Sequence, residues 1–256
     1  MPNEKETGVE AKLPLMTHLE ELRKRLIRVA IILLLIFCVV YNQSQFFMDF
    51  VTAPLIKALP EHATLSMIKL TEGFFVELKL CAMVALFFGM PFVFYELWKF
   101  IAPGLYAQEK KYVVSFVVFA SLLFVGGAAF AYYGAFPFGF KFFLTYAQGG
   151  NITATLSLQE YLDFFVKMVL AFGLVFEMPV FTFFLAKMGF VTSHMMNKYR
   201  KYSYLGIFVV AAILTPPDVF SQMMMACPMI ILYEVSVGVA KLFGRKRVIK
   251  EEDVYA

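Results

Sequence analysis

Recognisable catalytic and metal-binding signatures are missing from this 256-residue chain. It has no Walker loop, no HExxH and no CxxC, so phosphate-cradling, zinc-hydrolase and dithiol chemistry have no sequence support. The three cysteines, Cys38, Cys81 and Cys227, all fall within apolar runs. An odd, buried set argues against both a disulfide framework and a metal site. The three histidines, His18, His62 and His194, are scattered among predicted loops and helix ends. His18 reads as an interfacial polar residue. No serine or cysteine nucleophile can be assembled with a nearby base. The chain is therefore not read as an enzyme, and neither a cofactor nor a nucleic-acid partner is expected. Tryptophan occurs once, and charged residues make up 16% of the chain. The opening MPNEKETGVEAKLPLMTHLEELRKRL is charged and polar for too long to be a cleaved signal peptide, and it is no Arg-rich, acid-poor presequence.

What the chain has instead is apolar surface. It is 61% hydrophobic, with 31 phenylalanines and a mean hydropathy of +0.72. Soluble domains run near ~45–50% apolar, so the composition is that of an integral membrane protein. The pattern predicts an all-α membrane protein with one polytopic domain over 1–256. Its six transmembrane helices span about 22–41, 73–97, 112–136, 161–186, 200–215 and 218–240. The fifth and sixth are short. The fifth run is bounded by KYRK and Pro216-Pro217 and reaches only about 24 Å, against a usual hydrocarbon thickness of about 30 Å. Local bilayer thinning is expected there. The first external loop, about 42–72, is long. Within it SQFFMDFVTAPLIKAL is amphipathic and is expected to lie on the outer face as a short helix broken at Pro54.

Orientation follows from lysine and arginine. Residues 1–28, 96–111, 187–201 and 241–256 hold 18 of the 23, and all six arginines. Both termini are therefore expected in the cytoplasm. The charged tail GRKRVIKEEDVYA is expected to be disordered.

The carboxylates stand out against this background. Glu177 lies midway along an apolar stretch flanked by Lys167 and Lys187, near the bilayer centre. A charge there costs at least a few kcal/mol unless it is paired, protonated or facing a wet cavity. Thr17 is placed to cap the first helix with Glu20 three residues on. Glu21 lies among Arg23, Lys24 and Arg25, where a surface ion pair worth little is a sufficient reading. In the cytoplasmic loop 98–113, Pro103-Gly104 enforces a turn. Phe100, Leu105 and Tyr106 put apolar groups beside Glu109, as a peptide-binding surface would. A helix N-terminal charge explains Glu109 equally well. In TPPDVFSQ, Asp218 is placed to cap the sixth helix. Gln222 lies one turn further on, where an amide seeks a partner helix. Snorkelling suffices for Glu234.

Four segments then carry a resemblance: HLEELRKRL, YELWKFIAPGLYAQEKK, FGLVFEMPV and ILTPPDVFSQ. In this order they resemble the signature segments of the TatC family, the multispanning receptors of the twin-arginine protein translocase. The resemblance covers nearly the whole chain. It implies a protein of the prokaryotic cytoplasmic (inner) membrane that binds Arg-Arg signal peptides of folded cargo. It also implies single-span partners of the TatA and TatB type in an oligomeric complex surrounded by lipid, with transport driven by the proton motive force. The family's two acidic receptor positions match Glu21 and Glu109, and Glu20 is placed to share the role of Glu21. Phe100, Leu105 and Tyr106 belong to the same segment. Arg23 and Arg25 match positions whose alteration impairs function. Pro54 matches a proline of the first external loop and Glu177 the intramembrane glutamate. Asp218 and Gln222 match an outer-loop aspartate and a partner-contact residue. The main alternative is a proton-coupled secondary transporter using Glu177; neither repeats nor a second midplane charge support it. A purely structural assembly scaffold is a second alternative, and it predicts no affinity for Arg-Arg peptides.

Overall fold

The computed structural model describes residues 4–58, 65–67, 69, 71–101, 113–147, 156–215 and 218–244. These residues are almost entirely helical. The order is α1 (Glu4–Tyr41), α2 (Ser44–Ala58), β1 (Leu65–Ser66), α3 (Glu72–Ile101), α4 (Val113–Phe130), a π-helical turn (Ala131–Ala135), α5 (Phe136–Ala147), β2 (Leu156–Ser157), α6 (Leu158–Phe176), α7 (Met178–Lys187), α8 (Ser193–Lys198), α9 (Arg200–Leu214) and α10 (Val219–Phe243). The chain divides into two compact units. One comprises Met1–Met48 and Glu77–Ser121, the other Asp49–Val76 and Leu122–Ala256.

By length and apolar character, four helical stretches among the described residues qualify to cross a membrane. A fifth is added if Met16–Tyr41 and Ser44–Ile56, which meet at 80°, count as one broken span. Six were expected. The shortfall has two physical sources. The first apolar run shares its helix with the charged N-terminal segment, and α9 has only 15 residues, about 22 Å of rise.

In the first unit, α1 and α3 approach closely at Gly89. A Cβ on that residue would lie 2.3 Å from Leu33 Cδ2, so only glycine permits this contact without rearrangement. Trp98 is buried and meets Phe116 edge-on, with ring centroids 4.0 Å apart. Such a pair adds to the stabilisation from area burial alone. α1 runs unbroken through Thr17, so Thr17 is not its N-cap, as the capping-box reading had it.

The second unit corrects the sequence at Pro54. α2 is helical as expected but is not broken there. Proline has no N–H to give the carbonyl four residues back, which is that of Phe50. The Tyr132 hydroxyl donates to that carbonyl at 2.8 Å. The Tyr161 hydroxyl donates to the next one, Val51, at 2.7 Å. Two phenols thus serve the acceptors along the proline's turn, and Phe50 stacks on Tyr132 at 4.9 Å. Tyr132 sits in the π turn, an insertion of the kind that displaces helix register.

Glu72 draws two connections of this unit together. Its buried carboxylate accepts from Ser157 Oγ at 2.9 Å, from the Gln159 N–H at 2.9 Å and from the Lys69 N–H at 3.2 Å. Beside it, β1 and β2 pair in parallel, Leu65 with Leu156 and Ser66 with Ser157. α10 packs against α7 and α9. It is capped by Asp218, whose Oδ1 accepts the Ser221 N–H at 2.7 Å, as its position predicts.

The cysteines also differ from expectation. Only Cys81 is buried, whereas Cys38 and Cys227 are exposed on apolar helices.

Candidate functional site

Two places hold the carboxylates singled out by sequence. The first is in the first unit. Along α1, Glu21 and Arg25 are one helical turn apart, so their side chains share a face. Arg25 Nε donates to Glu21 Oε1 at 3.1 Å and Nη2 to the same oxygen at 2.5 Å. Its third nitrogen, Nη1, donates to Glu96 Oε2 of α3 at 2.8 Å. Arg28 stands 3.8 Å from the other Glu96 oxygen. Burial differs across this set. The Glu21 side chain is 38% exposed, that of Arg25 15% and that of Glu96 6%. One guanidinium thus bridges an accessible carboxylate and an enclosed one. Arg23 and Glu20 are exposed.

His18, one turn before Leu22, stacks on Phe100 with centroids 4.2 Å apart and planes 17° from parallel. Helix α1 thereby brings His18, Glu21 and Arg25 alongside Phe100 and Glu96 of α3. Leu105, Tyr106 and Glu109 lie outside the described residues.

Sequence reading passed over Glu96. Its signal was an acid ending an apolar run, one turn before Phe100, with three arginines available on α1. A carboxylate there needs a cation, and only Arg25 and Arg28 supply one among the described residues. His18 was assigned to the interface with no ring partner, because stacking between distant residues leaves no local pattern.

The second place is Glu177. It is the junction residue between α6 and α7, inside the single apolar stretch Leu158–Lys187. Pro179 cannot donate to the Val175 carbonyl and instead takes up a favoured place in the first turn of α7. Glu177 closes α6 by donating its N–H to Leu174 at 3.1 Å and opens α7 by accepting from Phe181 at 2.9 Å.

The Glu177 side chain is enclosed, with the residue 1% exposed. Neither carboxylate oxygen has a hydrogen-bond partner among the described residues. The Phe124 backbone lies near it but does not meet hydrogen-bond geometry. α4 reaches this close to α6 through glycine. A Cβ on Gly127 would lie 2.5 Å from the Phe172 carbonyl oxygen, and one on Gly173 would lie 2.7 Å from the Phe124 ring. A buried, unpartnered carboxylate costs several kcal/mol in its charged form, so this position is not explained by packing.

Two further residues have partners that the sequence did not show. Within its own chain, Gln222 Nε2 donates to the Phe208 carbonyl of α9 at 3.1 Å. Glu234 does more than reach for the interface. It accepts from Arg200 Nε at 2.6 Å and from the Tyr204 hydroxyl at 2.5 Å, and Arg200 Nη2 pairs with its second oxygen. This fork holds α9 to α10. At the opposite end of α10, Asp218 Oδ2 and Ser221 Oγ are buried without partners among the described residues.

Residues 17–228 match the model of a family described as Sec-independent protein translocase protein (TatC). A protein of that name from Desulforapulum autotrophicum is 43% identical over 244 residues, covering 95% of this chain and 90% of the relative. Its counterpart in Escherichia coli K12 is 41% identical, covering 94% of each. Among solved structures, a crystal structure of a twin-arginine translocase receptor, TatC, superposes with a TM-score of 0.79 at 36% identity. It covers 89% of this chain and 100% of that one.

Proposed function

The chain belongs to the TatC family of Sec-independent protein translocase components, which are not enzymes, and on that premise we propose that it is the receptor that binds Arg-Arg signal peptides. The binding face is cytoplasmic, both termini are on that side, and the chain crosses the inner membrane six times. Glu21 and Glu109 each take one guanidinium of the arginine pair. A guanidinium presents a planar fork that a carboxylate accepts through two bonds, whereas an ammonium is a point charge. Phe100, Leu105 and Tyr106 supply the apolar ground beside them. Arg23 and Arg25 set the local charge.

The observation that carries this reading is the position of Glu21. It is the accessible member of a carboxylate pair, alongside the Phe100–His18 stack, in a segment within the family match. The family assignment displaces the proton-coupled transporter alternative.

The single-span TatA- and TatB-type proteins are the partners, and the proton motive force drives transport of the folded cargo. Glu177, Gln222, Asp218 and Pro54 serve assembly rather than cargo recognition. Glu177 is enclosed and its carboxylate has no hydrogen-bond partner among the described residues, so a polar group of a partner helix or an inserted signal peptide is the partner expected for it. Crosslinking of an Arg-Arg signal peptide to the protein in membranes tests the receptor role. The signal is expected to vanish when Glu21 and Glu109 are both changed to Gln, and its persistence would reject the proposal.

A further inference from the structure

The accessible carboxylate of the binding face is already occupied. Glu21 Oε1 is held by two nitrogens of the chain's own Arg25. A cargo guanidinium arriving at Glu21 therefore meets a resident guanidinium of the same chemistry. Both cannot hold the carboxylate with full fork geometry, and two like charges crowded there repel. Arg25 must withdraw, and it is already tethered elsewhere. Its Nη1 is on Glu96 at 2.8 Å, and that carboxylate is 6% exposed and fixed on α3. Among the described residues, the second Glu96 oxygen has only a loose 3.8 Å approach from the exposed Arg28, which leaves room there for a second bond from Arg25.

We propose that Glu96 is a positioning residue for cargo recognition: it draws Arg25 off Glu21 as the signal arginine arrives, so that the incoming group must displace a guanidinium. The inference rests on the receptor reading above and adds a source for its specificity. An incoming lysine offers no fork and competes poorly against a resident that has one. Arginine selectivity then arises partly inside the receptor, as a competition between two like groups for one acid. The wrong ligand is rejected because it fails to displace the resident guanidinium.

The test uses the full-length protein in its membrane complex, with fluorescent signal peptides bearing Arg-Arg or Lys-Lys. Glu96→Gln leaves Arg25 with Glu21 as its one carboxylate. Arg-Arg affinity is expected to fall about tenfold, the effect of losing roughly one hydrogen bond to a charged group. Glu96→Asp should restore much of it. Arg25→Gln combined with Glu96→Gln removes the competitor and leaves no buried carboxylate unpaired. Arg-Arg affinity should recover from the Glu96→Gln level, and the Arg-Arg to Lys-Lys preference should shrink several-fold. A merely structural role would not change that ratio. Wild-type affinity in Glu96→Gln, or a double variant that binds no better than Glu96→Gln, would overturn the proposal. Glu21→Gln separates the two readings: if it still binds Arg-Arg peptide at full strength, the receptor assignment fails, whatever Glu96 does.

Discussion

At the scale of single residues, two tyrosine hydroxyls allow α2 to continue through a proline. Pro54 leaves the Phe50 carbonyl without its helical donor, and Tyr132 replaces that donor. Tyr132→Phe should cost about 0.5–1.5 kcal/mol, the usual net contribution of one hydrogen bond. The cost should shrink when Pro54 is also changed to Ala, because residue 54 then donates its own N–H. Thermal unfolding of the four proteins in detergent closes this double-mutant cycle, and equal losses in both backgrounds would refute the pairing.

Glu177 predicts the opposite sign. Its two oxygens, without hydrogen-bond partners among the described residues, should weaken the isolated protein, so Glu177→Leu should raise the unfolding midpoint while impairing assembly with partners. The expected rise is about 2–4 °C for each kcal/mol recovered. A lowered midpoint would show that the carboxylate is paired after all.

Among the elements, α9 makes the sharpest demand on its surroundings. Fifteen residues rise about 22 Å, and the Arg200–Glu234–Tyr204 fork ties its first turn to α10, which restricts sliding. The bilayer should thin beside α9, visible as a dip of several ångströms in the lipid density of a nanodisc map. Uniform thickness there would contradict this.

The element plan was largely legible in the sequence because membrane helices announce themselves by apolar length. The 73–97 expectation meets a helix at Glu72–Ile101, whereas the sixth helix, expected to be short over 218–240, runs a full 25 residues at Val219–Phe243. Asp218 was legible because capping is local. The junction of α6 and α7 at Glu177 follows from Pro179 two residues later, which gives no N–H to the preceding turn. The unbroken α2 was missed because its rescuing donor, Tyr132, is 82 positions from Phe50 in sequence. Glu96 stayed hidden in the same way, since its partner Arg25 lies 71 positions away. Long-range polar pairing leaves no periodic trace.

For the whole molecule, the polar centres fall in separate units. Glu21 and Arg25 of α1 meet Glu96 of α3 in the first unit. Glu177 lies between α6 and α7 in the second. On the proposed function, cargo recognition belongs to the former and assembly to the latter, so the two should separate under mutation. The most direct measurement is the binding of an Arg-Arg signal peptide to the membrane-embedded protein, compared across wild type, Glu21→Gln with Glu109→Gln, and Glu177→Leu. The account predicts that the double glutamine variant loses the peptide while Glu177→Leu retains it and fails later, in assembly. Full binding by the double variant would contradict the account.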